Sequence, residues 1–356
     1  MSARTLVTGI GVAAPSGLGV EDFWAATRIG KNAIGPVTRF DASSYPSRLA
    51  GEIHGFEPAE HLPGRLVPQT DRVTQLALVA TDCAFEDAGL DPGDLHPCDM
   101  GVVTAAGSGG SEFGENELRK LWSQGPKHVS AYQSFAWFYA VNTGQIAVRN
   151  DLRGPTGVLV GDQAGGLDAL AQARRRLRKG SRLIAAGGFD ASICSLGWAA
   201  HLAAGDLSVS EVPERAYLPF DAAASGYVPG EGGALIILED EEGAVARGAR
   251  DAYAEFAGYG ATLDPRPGLS LIHNPACGGP SWRRSPTPAA IRPRSTWSSP
   301  TGRACRGSTG RRPKPSPRSS DRSACRSPRP RRRPGGSARA ERPSTWSRRS
   351  SPCGRG

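Results

Sequence analysis

An α/β fold around a parallel or mixed sheet is the class this sequence predicts, on three observations. Short β-branched runs alternate with segments of helical period, glycine-rich turns separate them, and the alternation continues through roughly the first 270 residues. "RTLVTGIGVAAPSG" reads as a strand entering a Gly/Pro loop, and "VEDFWAATRIGKN" as a helix ending at Gly30. "TDRVTQLALVATDCAFEDAGL" has the period of an amphipathic helix, with Leu76, Val79, Ala80 and Cys83 on one face and Gly89 beyond its end. "DMGVVTAAGSGG" is a strand running into a glycine loop, and "SEFGENELRKLW" resumes as a helix. The aromatic cluster "SAYQSFAWFYAVNTGQIAVRN" follows, then a strand at 156–160, a turn at Gln163 and a helix over 164–179. "SRLIAAGGFDASI" and "GYVPGEGGALIILED" supply further strands.

Charge divides the chain in two. The net +9 averages a body of −10 over residues 1–273 and a tail of +19 over 274–356, where 20 Arg and one Lys face only Asp321 and Glu341. The tail has no Val, Leu, Phe, Tyr, Met or Gln, and its one Ile is Ile291. Such a composition buries too little apolar surface to offset the entropy of ordering, so residues 269–356 are expected to be a disordered, low-complexity stretch. Arg, Pro, Ser, Gly, Ala and Thr with stray Trp and Cys is also the alphabet of a G+C-rich reading frame translated out of register. A frameshift product is the reading we favour, ahead of an Arg-rich nucleic-acid-binding tail without stacking aromatics. The chain contains no run of 18 apolar residues, and its first 20 residues lack the pattern of a secretion signal, so a cytoplasmic protein is expected. Seven cysteines without a CxxC spacing point to reduced thiols and to no metal site.

The chemistry concentrates in "VLVGDQAGGLDALAQARRRLRKG", residues 158–180. A strand–turn–helix with small residues at the turn exposes the turn side chain to a pocket, beside the free N–H groups and partial positive charge of a helix N-terminus. Cysteine in that seat is a ready nucleophile. Gln163 offers only a neutral amide that donates and accepts hydrogen bonds. From the residues alone, a helix cap and a pocket amide both stay open.

Four segments carry a resemblance: "VGDQAGGLDALAQARRRLRKG", "VSAYQSFAWFYAVNTGQIAVRNDLRGPTG", "RLAGEIHGFEPAEHLPGRLVPQTDRVTQLAL" and "RAYLPFDAAASGYVPGEGGALIILED". Over about residues 4–268 the chain resembles the chain length factor of type II aromatic polyketide synthases. That family is the β-subunit of the ketosynthase heterodimer, within the β-ketoacyl synthase branch of the thiolase-like superfamily. Glutamine in the QAGGLDA context, where condensing relatives carry cysteine, marks the subfamily. The flanking "GD" departs slightly from the Ala-Glu that relatives often have.

The resemblance implies a thiolase-like αβαβα layered fold, of which residues 1–268 are the N-terminal half, with the basic tail in place of the second half. A half of such a core is expected to expose an apolar face meant for its twin. It further implies an acyltransferase complex in which a cysteine-bearing ketosynthase α-subunit holds the growing chain. That complex elongates malonyl units on an acyl carrier protein; no cofactor is implied, and this chain alone is expected to be inactive. Gln163 stands at the active-site cysteine position without being a nucleophile, and the family associates glutamine there with malonyl decarboxylation. Ser111, Gly114 and Leu118 match the residues that limit chain growth; their i, i+3, i+7 spacing sets them on one helical face. Tyr132, Phe135 and Phe138 fall where the family places subunit contacts. "GYVPGEGG" is expected to be structural, and Cys194 a buried packing residue. Two alternatives remain: an active condensing enzyme using another residue, and a nucleic-acid-binding protein acting through its tail.

Overall fold

Ten residues of Val, Ile, Thr, Leu, Gly and Ala, buried at nearly every position, make Thr5–Ala14 (β1) a central strand rather than a half-exposed one. The computed structural model describes residues 4–161, 163–249, 252–261 and 290–293. Within them the strands are β1, Gly17–Leu18 (β2), Ile34–Pro36 (β3), Leu49–Gly51 (β4), Met100–Ala106 (β5), Thr156–Val160 (β6), Leu183–Asp190 (β7), Gly232–Asp240 (β8), Ala254–Gly258 (β9) and Ala290–Pro293 (β10). The helices are Val20–Arg28 (α1), Pro58–His61 (α2), Arg72–Asp87 (α3), Ser111–Gln124 (α4), Val141–Arg149 (α5), Gly165–Leu177 (α6), Ser195–Ala204 (α7), Pro213–Ala216 (α8) and Glu241–Ala246 (α9).

One mixed sheet runs β10-β9-β1-β8-β7-β5-β6, with β2 paired to β1; β3 and β4 form a separate hairpin. β6, β5 and β7 are mutually parallel, and every other pairing is antiparallel. On one face α3 and α5 close a core around Leu76, Phe85, Ile146 and Leu235. On the other, α6 packs Ala169, Leu170, Ala173 and Leu177 onto Val103, Ile184 and Phe256. Helix, sheet and helix make three layers, the αβα half of the expected five-layer fold. On the α6 side Val160, Leu167 and Tyr217 stay 48–61% exposed.

The structure departs from the sequence reading in two places. Helix α3 is not one-sided: Thr74 and Leu78 are as buried as Leu76, Val79 and Ala80, and Thr74 Oγ1 bonds Asn142 of α5 at 2.8 Å on the side away from the sheet. Cys83 and Cys98, expected as reduced thiols, are disulfide-bonded. Apart from β10, which pairs antiparallel with β9, the expected tail at 269–356 lies outside the described residues.

Glycine lets α3 approach the sheet. A Cβ on Gly11 would sit 1.8 Å from the Ala80 carbonyl oxygen, and one on Gly9 2.3 Å from that of Ala84. At the other end of α3 the N-cap Asp71 accepts the Val73 N–H at 2.9 Å. Arg72 forms a two-pronged ion pair with Glu231, Nε to Oε2 at 2.6 Å and Nη2 to Oε1 at 2.7 Å. The same Glu231 Oε1 accepts the Ile53 N–H at 2.8 Å. The "GYVPGEGG" segment is thereby tied to α3 and to the chain leaving β4.

Candidate functional site

Because β5, β6 and β7 are parallel, their C-terminal ends at Ala106, Val160 and Asp190 finish along one edge of the sheet, where α/β folds place ligands. Three loops leave that edge. The loop after β5 is held by Asp190, whose carboxylate accepts Gly107 N–H at 2.8 Å, Ser108 N–H at 2.9 Å and the Ser108 hydroxyl at 2.9 Å. The turn after β6 carries Gln163, exposed, immediately before α6. The N-cap position of α6 is Ala164, whose side chain makes no capping hydrogen bond. The glycines of "QAGG" bring α6 close to the sheet: a Cβ on Gly165 would lie 3.1 Å from that of Ala105.

Above this edge lies a cavity of about 1090 Å³, lined by Gln163 among largely glycine and apolar residues such as Ala105, Val160, Leu170 and Ile236. Asp190 and Asp206 also line it, and among the described residues no Lys or Arg does. One wall is polar: Ser192 Oγ is 2.8 Å from His201 Nε2, and His201 Nδ1 is 2.8 Å from the Tyr227 hydroxyl. The sequence reading missed Asp190, Ser192, His201 and Tyr227. The visible signal was polar residues just past the end of an apolar strand, in "GGFDAS".

Cys194 is buried and free, and its Sγ accepts the Gly197 N–H at 3.4 Å. Burial first, then the carboxylate of Glu115, pushes its thiol up to about 12, which suits a packing residue and not a nucleophile. Among the described residues no group of three or more His, Cys, Asp or Glu is placed to hold a metal ion, and no helix is long and apolar enough to cross a membrane.

Ser111, Gly114 and Leu118 all fall on α4: Ser111 half-buried in the first turn, Gly114 buried, Leu118 41% exposed. The aromatic segment packs beside them. Gly110 N–H donates to the Trp137 carbonyl at 3.0 Å, and a Cβ on Gly114 would lie 3.6 Å from the Trp137 Cβ. Trp137 is therefore the neighbour of the middle position, a partner that sequence spacing did not single out. Tyr132 and Phe135 are half-buried against each other, edge to face at 5.9 Å, while Phe138 and Trp137 are exposed.

The family model for the β-ketoacyl synthase N-terminal domain matches residues 3–244. The chain is 56% identical over 263 residues to "Actinorhodin polyketide putative beta-ketoacyl synthase 2" of Streptomyces coelicolor, covering 74% of this chain and 65% of that protein. It is 54% identical over 275 residues to "Tetracenomycin polyketide synthase ketoacyl synthase beta subunit" of Streptomyces glaucescens, covering 77% and 67%. Among solved structures, "The ishigamide ketosynthase/chain length factor" superposes with a TM-score of 0.63 at 30% identity, over 73% of this chain and 64% of that one. The matched stretch thus spans about two thirds of these relatives' own length. With the model matched over most of the chain and the edge-of-sheet site in place, the chain belongs to the β-ketoacyl synthase family, and its fold is thiolase-like.

Proposed function

We propose that this chain is the chain length factor of a type II polyketide ketosynthase heterodimer. It pairs with a cysteine-bearing α-subunit and sets the length of the poly-β-ketone that the pair builds on an acyl carrier protein in the cytoplasm. The observation that carries this reading is Gln163, a side chain unable to form a thioester, in the turn between β6 and α6 where the family seats its cysteine. The kept cavity, the raised Cys194 thiol and the names of the relatives support it. The chain by itself carries no condensing activity; Ser111, Gly114 and Leu118 on α4 limit growth, and Tyr132, Phe135 and Phe138 face the partner.

Decarboxylation at Gln163 is a weaker part of the reading. A malonyl carboxylate in this cavity meets Asp190 and Asp206, with no Lys or Arg among the described lining residues, and like-charge repulsion disfavours it.

The test is reconstitution of the full chain with a cysteine-bearing type II ketosynthase, an acyl carrier protein and malonyl thioester. The expected result is stable co-purification and polyketide formation only with both subunits present. Condensation by this chain alone, or acylation of any of its residues, would contradict the proposal.

A further inference from the structure

Three carboxylates tie helix α4 to its surroundings, each by accepting a backbone N–H. Asp71 accepts the Phe113 N–H at 2.7 Å and joins the first turn of α4 to α3. Buried Glu117 accepts the Ser130 N–H at 2.6 Å and joins a later turn to the chain before the aromatic segment. Glu115 accepts the Leu196 N–H at 2.9 Å through Oε2, while its Oε1 takes the Arg119 guanidinium one turn on. Of these three bonds the last reaches toward the cavity. Leu196 lies in the first turn of α7, and His201 and Ala204 of that helix line the Gln163 cavity.

The Glu115 bond has a fixed direction. Burial pushes the Glu115 carboxyl up, but the Leu196 N–H, Arg119 and the Cys194 thiol outweigh it and hold the group below the ordinary glutamate value. A carboxylate only accepts and a backbone amide only donates. The Leu196 N–H is among the donors that the first turn of a helix cannot satisfy internally, and the positive end of α7 favours a negative partner. The N-cap of α7, Cys194, takes a different donor, the Gly197 N–H at 3.4 Å. Helix α7 is itself anchored in the core. Fully buried Trp198 donates from Nε1 to the Ser47 carbonyl at 3.1 Å and meets the Phe40 ring edge-on at 5.7 Å. Glu115 therefore references α4 to a fixed helix.

Its place on α4 gives the bond a consequence. Glu115 follows Ser111 by four residues and precedes Leu118 by three, so it borders the face that carries Ser111, Gly114 and Leu118. Any turn or slide of α4 moves those three together. We propose that Glu115 is a positioning residue of the growth limit: its bond to the Leu196 N–H holds the Ser111–Gly114–Leu118 face in one setting against α7, so that one product length dominates. The proposal deepens the function above and rests on it for the role of that face.

The experiment compares Glu115→Ala, Glu115→Asp and Glu115→Gln in the full chain. Glu115→Asp keeps the charge but falls one methylene short of the Leu196 N–H; Glu115→Gln gives up the charge but keeps an oxygen that accepts it. Hydrogen exchange reads the bond itself: the Leu196 amide exchanges roughly tenfold faster in Glu115→Ala and Glu115→Asp, and at the wild-type rate in Glu115→Gln. Each chain is then paired with a cysteine-bearing ketosynthase, an acyl carrier protein and malonyl thioester, and the released products are read by mass spectrometry. Glu115→Ala and Glu115→Asp lose the single dominant length to neighbours a two-carbon unit away, and Glu115→Gln restores it. A residue needed only for folding would lower the yield of complex and leave its product lengths alone. Unchanged lengths or unchanged Leu196 exchange in Glu115→Ala and Glu115→Asp overturn the proposal. So do mixed lengths from the wild type, a Glu115→Gln complex that spreads its products like Glu115→Ala, or failure of both Glu115→Ala and Glu115→Asp to assemble. A wild-type chain that does not assemble sinks the proposed function and this proposal with it; an assembled wild type with unresponsive variants sinks only this one.

Discussion

Asp71 accepts the Phe113 backbone N–H at 2.7 Å through Oδ2 while its Oδ1 holds the Val73 N–H at 2.9 Å, so one carboxylate caps α3 and also holds the first turn of α4. The bond to Phe113 matters because the N-cap residue of α4 is Gly110, which has no side chain to cap it. Asp71 is only 2% exposed. The helix bearing Ser111, Gly114 and Leu118 is thereby fixed to the core helix rather than to its own loop.

Burial pushes the Asp71 carboxyl up to about 6, and the nearby Glu112 adds to this; the two backbone N–H donors and Arg39 pull the other way without prevailing. The folded state therefore holds this proton up to about pH 6, while the unfolded chain releases it near the ordinary aspartate value of about 4. Between those limits the folded protein binds more protons than the unfolded one, so stability falls as pH rises through the window, by about 3 kcal/mol in total. Asparagine at 71 has no such titration. Urea unfolding of the wild type and Asp71→Asn at pH 4 and pH 7 should show the wild type's advantage shrinking by that order; an advantage independent of pH would refute the assignment.

The Arg72–Glu231 pair predicts a large effect from a single truncation. The Glu231 side chain is 1% exposed and the Arg72 side chain 11%, and Arg72 also donates to the Ile53 carbonyl at 2.8 Å. Glu231→Ala leaves a buried guanidinium without its counter-charge and the Ile53 N–H without an acceptor, at a cost of about 3–5 kcal/mol. The drop in denaturation midpoint measures it. A loss under about 1 kcal/mol would mean that the pair is not holding the loop before β8.

Two glycines predict opposite signs. Alanine at Gly11 drives a methyl group to 1.8 Å from the Ala80 carbonyl and forces α3 off the sheet, costing about 3 kcal/mol or more. Gly144, exposed on α5, has nothing within 4 Å of its would-be Cβ, and alanine there should stabilise by about 0.5–1 kcal/mol through better helix propensity. Thermal melts of the two variants check both signs; a neutral Gly11→Ala would contradict the close packing of α3 on β1.

Local chemistry was enough to read some elements from the sequence. The run of residues 156–160 reads as a strand because of its β-branched, apolar content, and it is β6. Gln163 reads as a turn residue because glycines flank it and a helical period follows. What the sequence could not convey is pairing between distant segments. Nothing near Asp71 marks it as the acceptor for Phe113, and Ser192, His201 and Tyr227 meet only once β7, α7 and the approach to β8 are folded together. Helix α3 shows the same limit: its period marks one apolar face, whereas Thr74 on its other side is buried and bonds Asn142 of α5 at 2.8 Å, which no local pattern announces.

Gly114 offers the sharpest test of the growth limit. It is buried on α4 with Trp137 alongside, and a single methyl group there makes only ordinary contact at 3.6 Å. Gly114→Ala should therefore leave both the fold and the product unchanged. Tryptophan at 114 has to project past Trp137 into whatever space that face of α4 borders. If that space is the channel for the growing chain, the ring shortens it. Paired with a cysteine-bearing ketosynthase, Gly114→Trp should give polyketides shorter by at least one two-carbon unit, read by mass spectrometry of the released products, at a comparable total rate of malonyl consumption. Products of wild-type length from an assembled Gly114→Trp complex would remove Gly114 from the gate, and with it the argument that Ser111 and Leu118 act on the same face.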